Sequence, residues 1–126
     1  MQFLPSSPIC PPLLLRLFSS VKQNSLSSVP LAGEWIGNYR GHFEEVIRIE
    51  SIQGKWVATK ITGDDNVPAG EITWRVDPHT GLGEGQIAGE GYTQPLFVPG
   101  HLELLSPDRI VFHWQKLGKV EYRRDD

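Results

Sequence analysis

From Gly33 onward, apolar residues recur at every second position in short runs, and Gly, Pro, Asp and Asn cut one run from the next. Such alternation marks strands with one buried face, not amphipathic helices. Eight strands are predicted: Glu34 to Arg40, Phe43 to Ser51, Lys55 to Thr62, Gly70 to Val76, Gly83 to Gly89, His101 to Leu105, Arg109 to Gln115 and Lys119 to Arg124. In the second, Ile47 and Ile49 oppose Arg48 and Glu50. In the fourth, Ile72, Trp74 and Val76 share one face, and Glu71, Thr73 and Arg75 the other. In the seventh, Ile110, Phe112 and Trp114 oppose His113 and Gln115.

The connections at Gln53-Gly54, His79-Thr80-Gly81, Ser106-Pro107-Asp108 and Leu117-Gly118 are short and made of turn residues, so sequential strands should pair as antiparallel hairpins. That predicts an all-β fold, a small up-and-down antiparallel barrel of about eight strands, calycin- or lipocalin-like, with no free edge. Two connections read as longer, Gly63 to Ala69 and Glu90 to Gly100. Long loops on a rigid frame are where binding residues concentrate.

Composition breaks sharply at Gly33. All 13 glycines and all 15 acidic residues of the 126-residue chain lie from there on, while five of ten prolines and seven of nine serines lie before Leu31. Residues 1–30 are expected to be a disordered leader or a transit peptide, the latter suggested by Arg16-Leu17-Phe18-Ser19 and the lack of acid; residues 31–126 are the barrel. Past the leader, ten basic residues face 15 acidic ones, a net −5 that offers no field to nucleic acid. No apolar run suits a membrane-spanning helix. The single Cys10 excludes an internal disulfide and a cysteine zinc site.

Catalytic patterns are weak. His42, His79, His101 and His113 share no ligand spacing, and no nucleophile–base arrangement is evident. Gly83-x-Gly85 lacks the helix that a dinucleotide site needs, so its glycines read as a barrel bend or a close backbone approach. Asp64, Asp65 and Asn66 lack the distant glutamate of an EF-hand. Gly33-Glu34-Trp35 fits the Gly-x-Trp that closes one end of lipocalin-like barrels, or a core Trp following a turn glycine.

Thr59-Lys60-Ile61-Thr62-Gly63-Asp64-Asp65-Asn66-Val67-Pro68-Ala69-Gly70 resembles the TKxTGDxNxPAG signature of the D-type-cyclin-binding domain of F-box proteins. Gly83 to Pro95 resembles that family's GxGxIAxxGFTSP segment, Val111 to Gly118 its FxWxELG strand, and Gly33 to His42 its GxWxGxYGxHG start. A related domain occurs in the plastid EXECUTER proteins. The resemblance implies a substrate-recognition β-barrel that binds a protein or peptide tail in ubiquitin-dependent degradation. By position, Thr62, Gly63, Asp64, Asn66 and Pro68 would form one side of a pocket, and Gly91, Tyr92, Thr93 and Pro95 another. Tyr39 and Trp114 would be its aromatic walls. Four positions depart from the family: Asp65 replaces a proline, Gln94 a serine, Tyr92 a phenylalanine and Lys116 an acidic residue.

No F-box pattern precedes Gly33, so Skp and cullin machinery would be reached only through an F-box supplied elsewhere. The expectation is a monomeric, non-enzymatic binder with no cofactor, metal, nucleic acid or membrane, located in cytoplasm or nucleus, or in mitochondrion or plastid if the leader is a transit peptide. The alternative is a calycin-like carrier of a small apolar ligand.

Overall fold

Each predicted alternating run becomes a strand, and each short turn a hairpin. The computed structural model describes residues 30–38 and 44–125. The leader with Cys10, the wall residue Tyr39 and His42 lie outside the described residues. The strands are β1 (Gly33–Asn38), β2 (Glu44–Ile52), β3 (Lys55–Lys60), β4 (Ile72–Val76), β5 (Leu82–Gly89), β6 (Thr93–Ser106), β7 (Arg109–Trp114) and β8 (Gly118–Arg124). They pair in sequence order, all antiparallel, and β8 closes on β1 through Trp35↔Arg124 and Gly37↔Tyr122. The described residues thus form an all-β closed barrel of eight strands, as the periodicity predicts.

Aromatic rings fill the interior. Trp74 stacks on Phe112 with centroids 5.1 Å apart, and Phe112 meets Trp114 edge-on at 4.7 Å. Trp74 Nε1–H donates to the Tyr122 hydroxyl at 3.2 Å, so the buried indole is satisfied. Two glycines make room for this column. A Cβ on Gly85 would lie 2.4 Å from Trp114 Nε1, and one on Gly100 2.5 Å from Phe112 Cζ. Gly85 is therefore a close approach of backbone to ring, and Gly83, where a Cβ would run into the Arg75 carbonyl of β4, a close approach of backbone to backbone.

Two details differ from the sequence reading. First, Glu90 to Gly100 is not a long loop: β6 starts at Thr93 and runs for 14 residues. Pro95 and Pro99 argue against a strand by periodicity, because proline cannot donate to a ladder. Pro99 nevertheless fits, because its carbonyl faces β7 and accepts the Gln115 N–H at 3.0 Å, so no β5 bond is lost. Second, Thr73 is 1% exposed, although strict alternation sets it opposite Trp74. Register places Ala58 against Trp74 and Thr59 against Ile72, leaving Thr73 as an extra residue in a bulge. A bulge puts two successive side chains on similar headings, which buries Thr73 and turns Ile72 outward to half-exposure.

Candidate functional site

An up-and-down barrel sends alternate connections to alternate ends. The connections β3–β4 (61–71), β5–β6 (90–92) and β7–β8 (115–117) therefore meet at one end. The opposite end is plugged by Trp35, which is fully buried. Its Nε1–H donates to the Leu31 carbonyl at 2.9 Å, and the Arg124 guanidinium lies 4.4 Å above its ring. Arg124 also donates to the carbonyls of Ala32 and Pro30. The Gly33-Glu34-Trp35 motif thus closes an end, as the lipocalin-like pattern implies.

The loop end is open. A cavity of about 610 Å³ sits there, lined by Lys60, Asp64, Asn66, Val67, Thr73, Gln86, Ile87, Ala88, Trp114, Leu117, Gly118, Lys119 and Val120. Its most unusual feature is ionic. Extending the alternation of Ile47 and Ile49 by two residues puts Glu45 on the buried face, and the pairing Ile47↔Lys60 brings Lys60 beside it. Lys60 Nζ donates to Glu45 Oε1 at 3.0 Å and to Asp64 Oδ2 at 2.8 Å. The side chains of Lys60, Glu45 and Asp64 are 2%, 5% and 11% exposed. A cluster this deep tolerates loss of a partner poorly, because a lone buried charge has no compensation.

The two carboxyls respond differently. Burial, the largest influence, lifts the Glu45 pKa, against a smaller lowering by the hydrogen bond and charge of Lys60. For Asp64, burial again pushes upward but is outweighed by the Lys60 hydrogen bond and charge and by the N–H groups of Val67 and Asn66, which bring it down to about 2. Asp64 is therefore a fixed anion at neutral pH, and Glu45 is the member readier to take a proton.

Asp64 also organises its own loop. Its Oδ1 accepts the backbone N–H of Asn66 at 2.8 Å and of Val67 at 2.7 Å. Asn66 Nδ2 donates to the Ala88 carbonyl at 2.9 Å, tying the loop to β5, and Gly91 N–H donates to the Asp65 carbonyl at 2.8 Å. Gly63 has φ +70°, and a Cβ there would meet Ala69 N at 2.2 Å, so the turn requires glycine.

Of the residues singled out from sequence, Asp64, Asn66 and Trp114 line the cavity. Thr62, Gly63 and Pro68, in the β3–β4 connection, and Gly91, Tyr92 and Thr93, at the β5–β6 turn, are not among its lining residues. Thr62 Oγ1 accepts the Val46 N–H at 3.0 Å, and Thr93 Oγ1 donates to the Glu90 carbonyl at 3.1 Å. The Tyr92 hydroxyl lies 2.9 Å from Gln86 Oε1 and 3.0 Å from Glu71 Oε1, and burial followed by the Glu71 carboxylate raises its pKa. Glu45, Lys60 and Thr73 escaped the sequence reading. Glu45 carried a signal, a carboxylate on an otherwise apolar face; Thr73 carried none, since only the bulge buries it. Among the described residues, no group of three or more His, Cys, Asp or Glu is placed to hold a metal ion, and no helix is long and apolar enough to cross a membrane.

The cyclin D1 binding domain family matches the chain over residues 16–82 and 78–124. Protein EXECUTER 2, chloroplastic, of Oryza sativa subsp. japonica is 27% identical over 136 residues, covering 83% of this chain and 21% of that protein. Protein EXECUTER 1, chloroplastic, of Arabidopsis thaliana is 29% identical over 113 residues, covering 60% of this chain and 16% of that protein. Protein EXECUTER 2, chloroplastic, of Arabidopsis thaliana is 26% identical over 109 residues. The chain thus spans about a fifth of the length of the curated relatives it matches. The family match runs from β1 through β8 and takes in the Asp64 loop, the β5 glycines and the Trp114 strand: this chain belongs to the cyclin D1 binding domain family.

Proposed function

We propose that the barrel is a non-enzymatic recognition module that grips a polypeptide tail in its open mouth. The observation that carries this reading is the convergence there of a buried Glu45–Lys60–Asp64 cluster with the apolar wall of Val67, Ile87, Trp114 and Val120. Fixed charges can orient the polar end of a chain, while the wall takes an apolar side chain. Family membership supports a protein as the ligand. On this reading the barrel is the substrate-recognition part of a ubiquitin-ligase-like assembly, and Skp and cullin are reached through an F-box supplied elsewhere. The relatives whose names say chloroplastic favour a plastid over the cytoplasm or nucleus.

A carrier of a small apolar ligand is the competing reading, favoured by the plugged end at Trp35 and the cavity volume. Titrating the chain with peptides of different C-terminal residues, followed by intrinsic Trp fluorescence, separates the two. Saturable, tail-dependent change that Trp114→Phe diminishes supports the recognition module. Uptake of a hydrophobic dye with no response to any peptide overturns it.

A further inference from the structure

The barrel is closed, yet one of its strands outruns its neighbour. β6 pairs with β5 from Thr93 onward, whereas its pairing with β7 begins only at Gly100↔Trp114. The segment from Thr93 to Val98 therefore has a partner strand on one side only. Main-chain direction along it can be read from its bonds. Leu102 N–H reaches the Gly81 carbonyl at 2.8 Å, on the side of β5, and the Pro99 carbonyl takes the Gln115 N–H at 3.0 Å, on the side of β7. Period two then turns both the N–H and the C=O of Phe97 away from β5, into the space that a longer β7 would occupy. Among the described residues neither group has a strand partner there. Pro95 and Pro99 flank Phe97 and offer no N–H of their own. The open edge is thus cut to one residue able to exchange two main-chain hydrogen bonds, which fixes the register of whatever pairs with it.

Of the acidic side chains on the strands beside this edge, Glu84, paired across from Pro99, is held by Arg75, and Glu103 lies against His113. A second cavity, of about 720 Å³, opens on the outer face beyond the end of β7 and is lined by Leu82, His101, His113, Lys116 and Lys119. Both lysines are exposed, and neither makes an ion pair among the described residues. In a domain of net −5 they form a local cationic rim.

We propose that an extended acidic polypeptide segment docks on β6 as an added strand, pairing with Phe97 in line with β7. This inference rests on the tail-binding reading above and gives it a route of entry: the added strand leads into the mouth. Its side chains alternate. Those on the outer side meet Lys116 and Lys119, and those on the inner side face the mouth. Acidic residues suit the outer positions and apolar residues the inner ones.

The test uses a fluorescein-labelled decapeptide of alternating Glu and Val with a free C-terminus, a Lys-Val counterpart, and the full chain. Phe97→Pro removes the edge N–H at a position flanked by prolines that the strand already tolerates, and Phe97→Ala keeps the N–H while removing the ring. Expected results are tighter binding of the Glu-Val peptide than of the Lys-Val peptide, affinity at least tenfold weaker in Phe97→Pro than in Phe97→Ala, and a similar loss in Lys116→Glu/Lys119→Glu. Amide exchange at Phe97 in the unaltered chain should slow at least tenfold when the Glu-Val peptide is bound. Equal affinity of the two Phe97 variants, a preference for the Lys-Val peptide, or an unchanged Phe97 exchange rate would each overturn the proposal. Tail peptides that still perturb Trp114 in that case leave the mouth as the binding site and remove only the edge. Absence of any peptide response removes both.

Discussion

Replacing Asp64 by Asn keeps the shape of the side chain and removes its charge. The Asn carbonyl oxygen can still accept the N–H groups of Asn66 and Val67, which lie 2.8 and 2.7 Å from Asp64 Oδ1. The other position, now an amide NH₂, would face the Lys60 ammonium across the present 2.8 Å contact, donor against donor. The size of the loss follows from protonation linkage. The Asp64 pKa falls from an ordinary 3.8 to about 2, and at ~1.4 kcal/mol for each tenfold change this is worth about 2 kcal/mol. For a domain of this size that corresponds to a drop of roughly 8–16 °C in melting temperature. The pH dependence has a definite sign. A depressed carboxyl pKa contributes stability that is present above 3.8 and is lost as pH falls toward about 2. Melting curves of both proteins by circular dichroism from pH 7 to pH 2 should therefore start well separated and converge at the acid end. Coincident midpoints at pH 7, or a gap that stays constant to pH 2, would refute the assignment of Asp64 as an ionised partner of Lys60.

The other members of the cluster should behave unequally. Lys60→Met leaves Glu45 and Asp64 buried together and should cost about 3–5 kcal/mol in urea denaturation at pH 7. Glu45 has a raised pKa, so its contribution is complete below 4.5 and lost as pH rises through the raised value. Glu45→Gln should accordingly cost less stability at pH 7 than Lys60→Met, and the reverse ranking of these two variants would contradict the electrostatic account. Gly63→Ala places a methyl 2.2 Å from Ala69 N at φ +70°, and a loss of about 1–3 kcal/mol is expected by the same assay. Gly85→Ala drives a methyl to 2.4 Å from Trp114 Nε1 and should cost about 1–3 kcal/mol, with a changed near-ultraviolet circular dichroism signal reporting the displaced indole.

Alternation is a property of a strand taken alone, so it is written in the order of residues. Ile47 and Ile49 against Arg48, or Ile110, Phe112 and Trp114 against His113, declare their strands without reference to any neighbour. Short Gly- and Pro-bearing turns then leave sequential antiparallel pairing as the simplest topology, and eight strands linked that way close into a barrel whose alternate loops meet at one end. That much the chain determined by itself, together with the candidacy of Asp64, Asn66 and Trp114. What lies beside what depends on register, which no single strand encodes. The pairing Ile47↔Lys60 sets an ammonium next to Glu45, the bulge between Ala58 and Thr59 buries Thr73, and the pairing of Ile87 with Leu96 carries β6 past the end of β7. Prolines hid the start of that strand, because their missing N–H groups count against a ladder only on the side where a ladder runs. The mouth, its ion cluster and the open edge are thus consequences of cross-strand alignment, an interaction between segments far apart in sequence, and only the assembled barrel could decide them.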